Sequence, residues 1–166
     1  GGTAMQLCAR EGAEVLTICG AGAQGRTQLE AAMLVRPNLK KLWVYDIVPA
    51  NAERFVNEAK EKYPQLEILI ADDLEQAIRE SDIIITVTLA EKPFVKAAWI
   101  KRGALIVQMA TLEMEYGVVT NADKIVVDHP GQALHRGALA KHGTSGRLTE
   151  KDLYATIGEL AAGKKK

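Results

Sequence analysis

The fold of this 166-residue chain is decided by the stretch from Val15 to Gly25, which reads Val-Leu-Thr-Ile-Cys-Gly-Ala-Gly-Ala-Gln-Gly. Its first half is an apolar run typical of a buried strand. Its second half is the pattern Gly-x-Gly-x-x-Gly, which opens an amphipathic, helix-like segment. A strand, a glycine-rich turn and a helix in that order are what a dinucleotide-binding unit requires.

Each glycine of the pattern has a physical purpose. Gly20 permits a tight turn, Gly22 lets a pyrophosphate approach the backbone, and Gly25 lets the helix pack closely on the strand. The helix N-terminus offers unbonded N–H groups and a partial positive charge. We therefore predict that this turn binds the pyrophosphate of a nicotinamide dinucleotide; the alternative is a structural turn that is merely rich in glycine. The predicted cofactor-binding residues of the turn are Gly20, Gly22, Ala23, Gln24 and Gly25.

A second apolar run, Leu42 to Tyr45, ends in Asp46, twenty-one residues after Gly25. A carboxylate there is placed to accept hydrogen bonds from the ribose hydroxyls, and it repels the 2′-phosphate of NADP. We therefore predict NAD as the cofactor, with NADP disfavoured; the alternative for Asp46 is a helix-capping aspartate. Arg26, in the first turn of the helix, is either a phosphate ligand or a solvent-facing side chain.

The rest of the chain alternates strand-like with helix-like segments. After the first strand, further strands are predicted at residues 42–45, 66–70, 83–87, 104–107 and 125–127. This alternation predicts an α/β fold, a doubly wound, mostly parallel Rossmann sheet of about six strands in the order 3-2-1-4-5-6, with helices on both faces. No linker interrupts the pattern, so residues 1–166 are predicted to form a single domain. A last helix is expected to carry Leu153, Ile157, Leu160 and Ala161 on one face.

Further candidate site residues follow the fourth and fifth strands. Ligands of open α/β sheets bind outside the carboxyl ends of the strands, where the strand order reverses. Thr88 and Leu89 leave the fourth strand at that point, so we expect them to border a cofactor ribose; an ordinary strand exit is the alternative. Glu113 and Glu115 follow the fifth strand, and each is either a general acid or base or a solvated loop carboxylate.

The composition argues against several functions. Basic and acidic residues both number 21, so no net field attracts nucleic acid or an anionic membrane. No apolar run approaches the roughly 20 residues that span a bilayer, and no secretory leader is recognised. Cys8 and Cys19 lack Cys-x-x-Cys spacing, and the three histidines lack the spacing of metal ligands. We expect a cytoplasmic protein without a bound metal.

Several segments, in the same order along the chain, resemble the ornithine cyclodeaminase/μ-crystallin family. They are residues 18–26, 43–46, 122–128, 135–137, 148–154 and 157–165. The likeness covers nearly the whole chain. It implies an NAD-dependent oxidoreductase of a small amino or imino acid, since the family includes ornithine cyclodeaminases, alanine dehydrogenases and reductases of cyclic imino acids. These members share a hydride step between an amino acid's α-carbon and nicotinamide.

The resemblance also implies that the chain is part of a longer, two-domain protein. Family members carry a second, discontinuous domain that pairs the subunits of a homodimer and supplies the cations that grip the substrate carboxylate. The chain departs from the cyclodeaminases at Leu112, which stands near the place of their catalytic aspartate. Either Glu113 substitutes as the catalytic group, or the parent protein catalyses another member's reaction. The alternative functions are a μ-crystallin-like dinucleotide-binding module without turnover and a fragment of a 2-hydroxy-acid dehydrogenase.

Overall fold

The computed structural model describes residues 1–165. Its contacts divide the chain into two compact units. The first unit comprises Gly1–Leu89 and Ala98–Met109, and the second comprises residues 90–97 together with the chain from residue 110 onward. The expectation that residues 1–166 form a single domain stays a prediction, because compactness alone does not say what folds independently.

The first unit is built on one sheet in which every strand is parallel to its neighbours, and the strand order is β3-β2-β1-β4-β5. Its strands are β1 (Val15–Cys19), β2 (Lys41–Tyr45), β3 (Glu67–Ile70), β4 (Ile83–Thr86) and β5 (Leu105–Gln108). The register aligns Cys19 with Tyr45 on one side and with Thr86 on the other. The loops after β1, β2 and β4 therefore leave the sheet side by side. The predicted α/β class and the order of the first five strands are confirmed.

Three helices connect successive strands from β1 to β4, as parallel pairing requires. They are α2 (Ala23–Val35), α3 (Pro49–Lys62) and α4 (Leu74–Glu80), and a further helix, α1 (Gly2–Cys8), precedes β1. Pro49 stands in the first turn of α3, where its missing N–H leaves no bond unmade. Phe55 lies on the apolar stripe of α3 and is fully buried, which contributes roughly 2–3 kcal/mol. Ile83, Ile84 and Ile85 are buried as well, because β4 is covered on both faces.

Asp82 ties together the amino-terminal ends of the central strands. Its Oδ2 accepts hydrogen bonds from the backbone N–H groups of Glu14 (2.9 Å) and Val15 (3.0 Å). Its Oδ1 pairs with Arg10 at 3.2 Å and Lys101 at 2.8 Å. Burial alone raises the pKa of this carboxyl, but the Lys101 hydrogen bond and the two backbone N–H groups outweigh it and hold the pKa below its usual range.

The second unit contains a small parallel pair of strands and several short helices. Its elements are α5 (Tyr116–Thr120), β6 (Val126–Val127), α6 (Pro130–His135), α7 (Ala140–Thr144), β7 (Ala155–Thr156) and α8 (Ile157–Ala161). Val127, Leu134, Leu139 and Leu148 form its buried apolar cluster. Leu134 thus packs against apolar neighbours of its own unit.

Two predictions about the end of the chain are wrong. The strand expected to be sixth in the sheet is β6, and it pairs with β7 in a separate two-stranded sheet. The single helix expected over residues 153–161 is instead β7 followed by α8. A capping box explains the break: the Thr156 hydroxyl accepts from Glu159 N, and the Glu159 carboxylate accepts from Thr156 N, so the helix begins at Ile157.

Candidate functional site

Two glycines of the turn after β1 are required by the packing of the chain itself. Gly20 has a φ of +111°, and a Cβ there would lie 2.5 Å from the carbonyl oxygen of Val87. A Cβ at Gly25 would overlap the carbonyl oxygen of Gly20 and press on the ring of Phe55. Gly20 therefore makes the tight turn and Gly25 lets α2 approach it, as the sequence predicts.

Gly22 differs because no contact among the described residues requires a glycine there. Its φ of −83° is open to any residue, and a Cβ would have no atom within 4 Å. Gly22 is exposed and stands at the N-cap of α2, and no side chain caps the helix. The space before its backbone fits a group that comes from outside the chain, and the uncapped helix end favours an anion. The residues therefore fit a dinucleotide pyrophosphate.

Ala23 and Gln24 form the exposed first turn of α2. No acidic residue stands in that turn, so no carboxylate opposes a phosphate at the positive end of the helix dipole. With Gly22 they present one uncapped helix end to solvent. The structure thus brings together all five predicted residues of the turn.

Asp46 lies where β2 ends and reaches back to the glycine turn. Its Oδ2 accepts a hydrogen bond from Ala21 N (2.8 Å), and its Oδ1 accepts from Val48 N (2.9 Å) and, at 3.5 Å, from the Asn51 side chain. A carboxylate has about four lone-pair positions, so capacity remains for a ribose hydroxyl. Among residues 1–165, no salt bridge engages Asp46. Its role toward ribose stays a prediction.

Arg26 is partly exposed, and its guanidinium makes contacts within the chain that the sequence did not predict. Its role as a phosphate ligand stays a prediction. Its Nη1 donates to the carbonyl oxygens of Ala21 (2.5 Å) and Gly22 (3.3 Å), and its Nε pairs with Glu58 of α3 at 2.6 Å. The hydrogen bond from Arg26 lowers the pKa of the Glu58 carboxyl. No local pattern marks Glu58, because its partner lies 32 positions away.

Thr88 and Leu89 follow β4 next to the glycine turn. Val87 N donates to Cys19 O at 2.9 Å, which holds this exit beside the end of β1. Leu89 is 100% exposed, and Ile47 after β2 is 87% exposed. Two exposed apolar side chains thus leave the strands on either side of β1. The exposure of Ile47 was not predicted from the sequence.

Glu113 lies in the second unit and is fully buried. Its carbonyl oxygen accepts hydrogen bonds from Phe94 N and Val95 N, both at 3.0 Å. A general acid or base must reach its substrate, and a side chain without accessible surface does not do so in this conformation. The catalytic assignment of Glu113 stays a prediction.

Within residues 1–165, no group of three or more His, Cys, Asp or Glu side chains is placed to hold a metal ion. None of the helices in that range has the length and apolar character needed to cross a membrane.

The parallel sheet, the glycine turn and the acid at the end of β2 define a Rossmann-type dinucleotide-binding unit. The family model described as the ornithine cyclodeaminase/mu-crystallin family matches residues 1–166. The chain belongs to that family.

Three relatives illustrate the match. The Δ1-pyrroline-2-carboxylate reductase of Thermococcus litoralis, in complex with NADH and L-proline, superposes with a TM-score of 0.90 at 34% identity, over 99% of this chain and 52% of that one. An archaeal alanine dehydrogenase dimer with bound NAD gives a TM-score of 0.88 at 31% identity, over 99% and 51%. The alanine dehydrogenase of Archaeoglobus fulgidus is 31% identical over 99% of this chain and 51% of its own length. The chain thus spans about half the length of these relatives.

Proposed function

We propose that this chain binds NAD and is the cofactor-binding part of an oxidoreductase that acts on a small amino or imino acid. The observation that carries the proposal is Gly22, a glycine that the chain does not need and a pyrophosphate does. The NADH and NAD complexes of the two structural relatives support it, because those chains share this fold over 99% of the present one. When bound, the nicotinamide accepts or donates a hydride.

Cofactor choice follows from the end of β2. Asp46 brings a negative charge to the predicted ribose site, and the neighbouring Ile47 and Val48 carry no compensating charge. Arg26, the cation of the glycine turn, already pairs with Glu58. A 2′-phosphate would therefore meet a carboxylate that forms no salt bridge with any residue from 1 to 165, and we expect NADH to bind more tightly than NADPH.

A pair of glycine variants tests the cofactor proposal. Gly22→Ala places a methyl group where the pyrophosphate approaches, and NADH affinity should fall about tenfold or more. Gly12→Ala is the matched control, because a Cβ at Gly12 also meets nothing within 4 Å but lies in the loop before β1. A fluorescence titration with NADH measures both. Failure of the unmodified chain to bind NADH, or equal affinities for the two variants, would contradict the proposal.

The substrate class rests on the relatives, whose names specify alanine and pyrroline-2-carboxylate as compounds they act on. We propose that a longer parent protein, a homodimer, supplies the groups that hold the substrate carboxylate. The isolated chain should then bind NADH and oxidise it slowly. Comparing NADH oxidation by the chain and by the parent, with pyruvate plus ammonia and with pyrroline-2-carboxylate, tests this. Equal rates from the two proteins would contradict it.

One observation favours a second candidate function, a dinucleotide-binding module without turnover. Glu113, the candidate catalytic group of the chain, is fully buried. If the parent protein binds NADH but oxidises it with neither substrate, the module is supported and the oxidoreductase is not.

A further inference from the structure

Arg26 connects the glycine turn to two helices. It belongs to the first turn of α2, its guanidinium donates to the carbonyl oxygen of Ala21, and its Nε pairs with Glu58 on α3. The guanidinium also lies over the ring of Phe55, 5.2 Å from its centroid. A planar group held by a carbonyl, a carboxylate and an aromatic face has little freedom to turn toward a ligand.

The consequence for Ala21 is that both of its peptide groups are fixed by charged side chains. Its N–H donates to Asp46 at 2.8 Å, and its carbonyl oxygen accepts from Arg26 at 2.5 Å. The carbonyl carbon of Ala21 forms the peptide bond with the nitrogen of Gly22. The orientation of that carbonyl therefore sets the direction of the Gly22 N–H, since the peptide group is planar.

On this basis we infer that Arg26 is a positioning residue of the pyrophosphate site, and that Glu58 holds its guanidinium on the turn instead of on the ligand. The inference rests on the proposed function, because it concerns the same dinucleotide site. It assigns Arg26 a role in preorganising the turn rather than in binding phosphate directly.

The inference separates ligands by their chemistry. ADP contains the pyrophosphate and adenosine does not, so the loss of Arg26 weakens binding of ADP and NADH and leaves adenosine unchanged. Arg26→Met should lower ADP and NADH affinity about tenfold, which corresponds to one charge-assisted hydrogen bond. Arg26→Lys should recover little of this, because an ammonium lacks the planar fork that spans Ala21 O and Glu58.

The chain offers a matched control in Lys62→Met. Lys62 on α3 pairs with Glu30 on α2, so this variant also removes an ion pair between the two helices, but it leaves the glycine turn intact. Exposed pairs of this kind contribute little to stability, so the loss of the ion pair itself should shift the urea midpoint of either variant only slightly. NADH binding is followed by fluorescence, and ADP and adenosine by displacement of NADH.

Three results overturn the inference. If Arg26→Met and Lys62→Met bind ADP with equal affinity, Arg26 does not position the pyrophosphate site. If Arg26→Met loses adenosine binding in parallel with ADP binding, the substitution has damaged the fold in general. Full affinity in Arg26→Lys shows that charge alone matters. In each of these cases the unmodified chain still binds NADH and the proposed function stands, whereas a chain that does not bind NADH overturns both.

Discussion

Two aspartates occupy opposite ends of the same parallel sheet and use the same chemistry differently. Asp82 precedes β4 and Asp46 follows β2, and each accepts hydrogen bonds from two backbone N–H groups. Asp82 additionally binds two cations, Arg10 and Lys101, and its side chain is only 12% exposed. Asp46 has an amide neighbour in Asn51 and, within residues 1–165, no salt bridge.

The comparison distinguishes a carboxylate that serves stability from one that has capacity for a ligand. The charge of Asp82 is compensated from within the chain, so removing it leaves two backbone N–H groups and two cations without this acceptor. The charge of Asp46 is compensated only by N–H groups at an exposed edge, where a ribose can add its hydroxyls. In an open parallel sheet the carboxyl ends of the strands are where ligands bind, and the amino ends are not.

The largest effect should come from Asp82→Ala. Two backbone N–H groups and two cations lose their acceptor, so the free energy of unfolding should fall by about 3 kcal/mol. Urea denaturation measures this, and Asp72→Ala, an exposed carboxylate after β3, is the control. NADH affinity of the folded variant should change less than about twofold. If Asp82→Ala weakened NADH binding by more kcal/mol than it lowered the free energy of unfolding, the two ends of the sheet would not have the separate roles that we assign to them.

Asp46→Ala should have the opposite effect: it should weaken NADH binding strongly and reduce folding stability only slightly. The predicted ribose contact and the Ala21 bond are both lost, so NADH affinity should fall about 30-fold, or about 2 kcal/mol. The free energy of unfolding should fall by only about 1 kcal/mol, because the site is partly exposed. Titrations with NADH and NADPH should also show that the ratio of the two affinities is smaller than in the unmodified chain. Unchanged NADH affinity would remove Asp46 from the site.

The smallest expected effect is the pH dependence of the stability that Asp82 contributes. The pKa of Asp82 is lower in the folded chain than its usual value of 3.8, so the unfolded chain takes up the proton first as the pH falls. The stability that its ionised form contributes is present above that value and is lost as the pH falls through the folded pKa. The difference in unfolding free energy between wild type and Asp82→Asn should therefore shrink between about pH 5 and pH 2. A constant difference would show that the charge of Asp82 is not involved.

Local pattern predicted much of the first unit. The turn from Gly20 to Gly25 and the strand ending at Asp46 were recognisable because steric need and burial act on neighbouring residues. The second unit was predicted less well. Its strands β6 and β7 have two residues each, too few to show a period, and they pair across about thirty positions. The start of α8 was readable from Thr156 and Glu159, whose spacing is that of a capping box.

The sequence by itself determined that a strand, a glycine turn and an acid would meet at the carboxyl edge of a parallel sheet, because each of these signals is local. Tertiary structure alone decided which partners each charge has. It placed Glu58 against Arg26, gave Asp82 two cations and, within residues 1–165, left Asp46 without a salt bridge. The reason is that a side chain's partner depends on the packing of helices and strands that lie far apart in sequence. Gly22 needed both the sequence and the tertiary structure to be understood. The sequence marked it as a glycine of the motif, and the structure showed that nothing within its surroundings needs it.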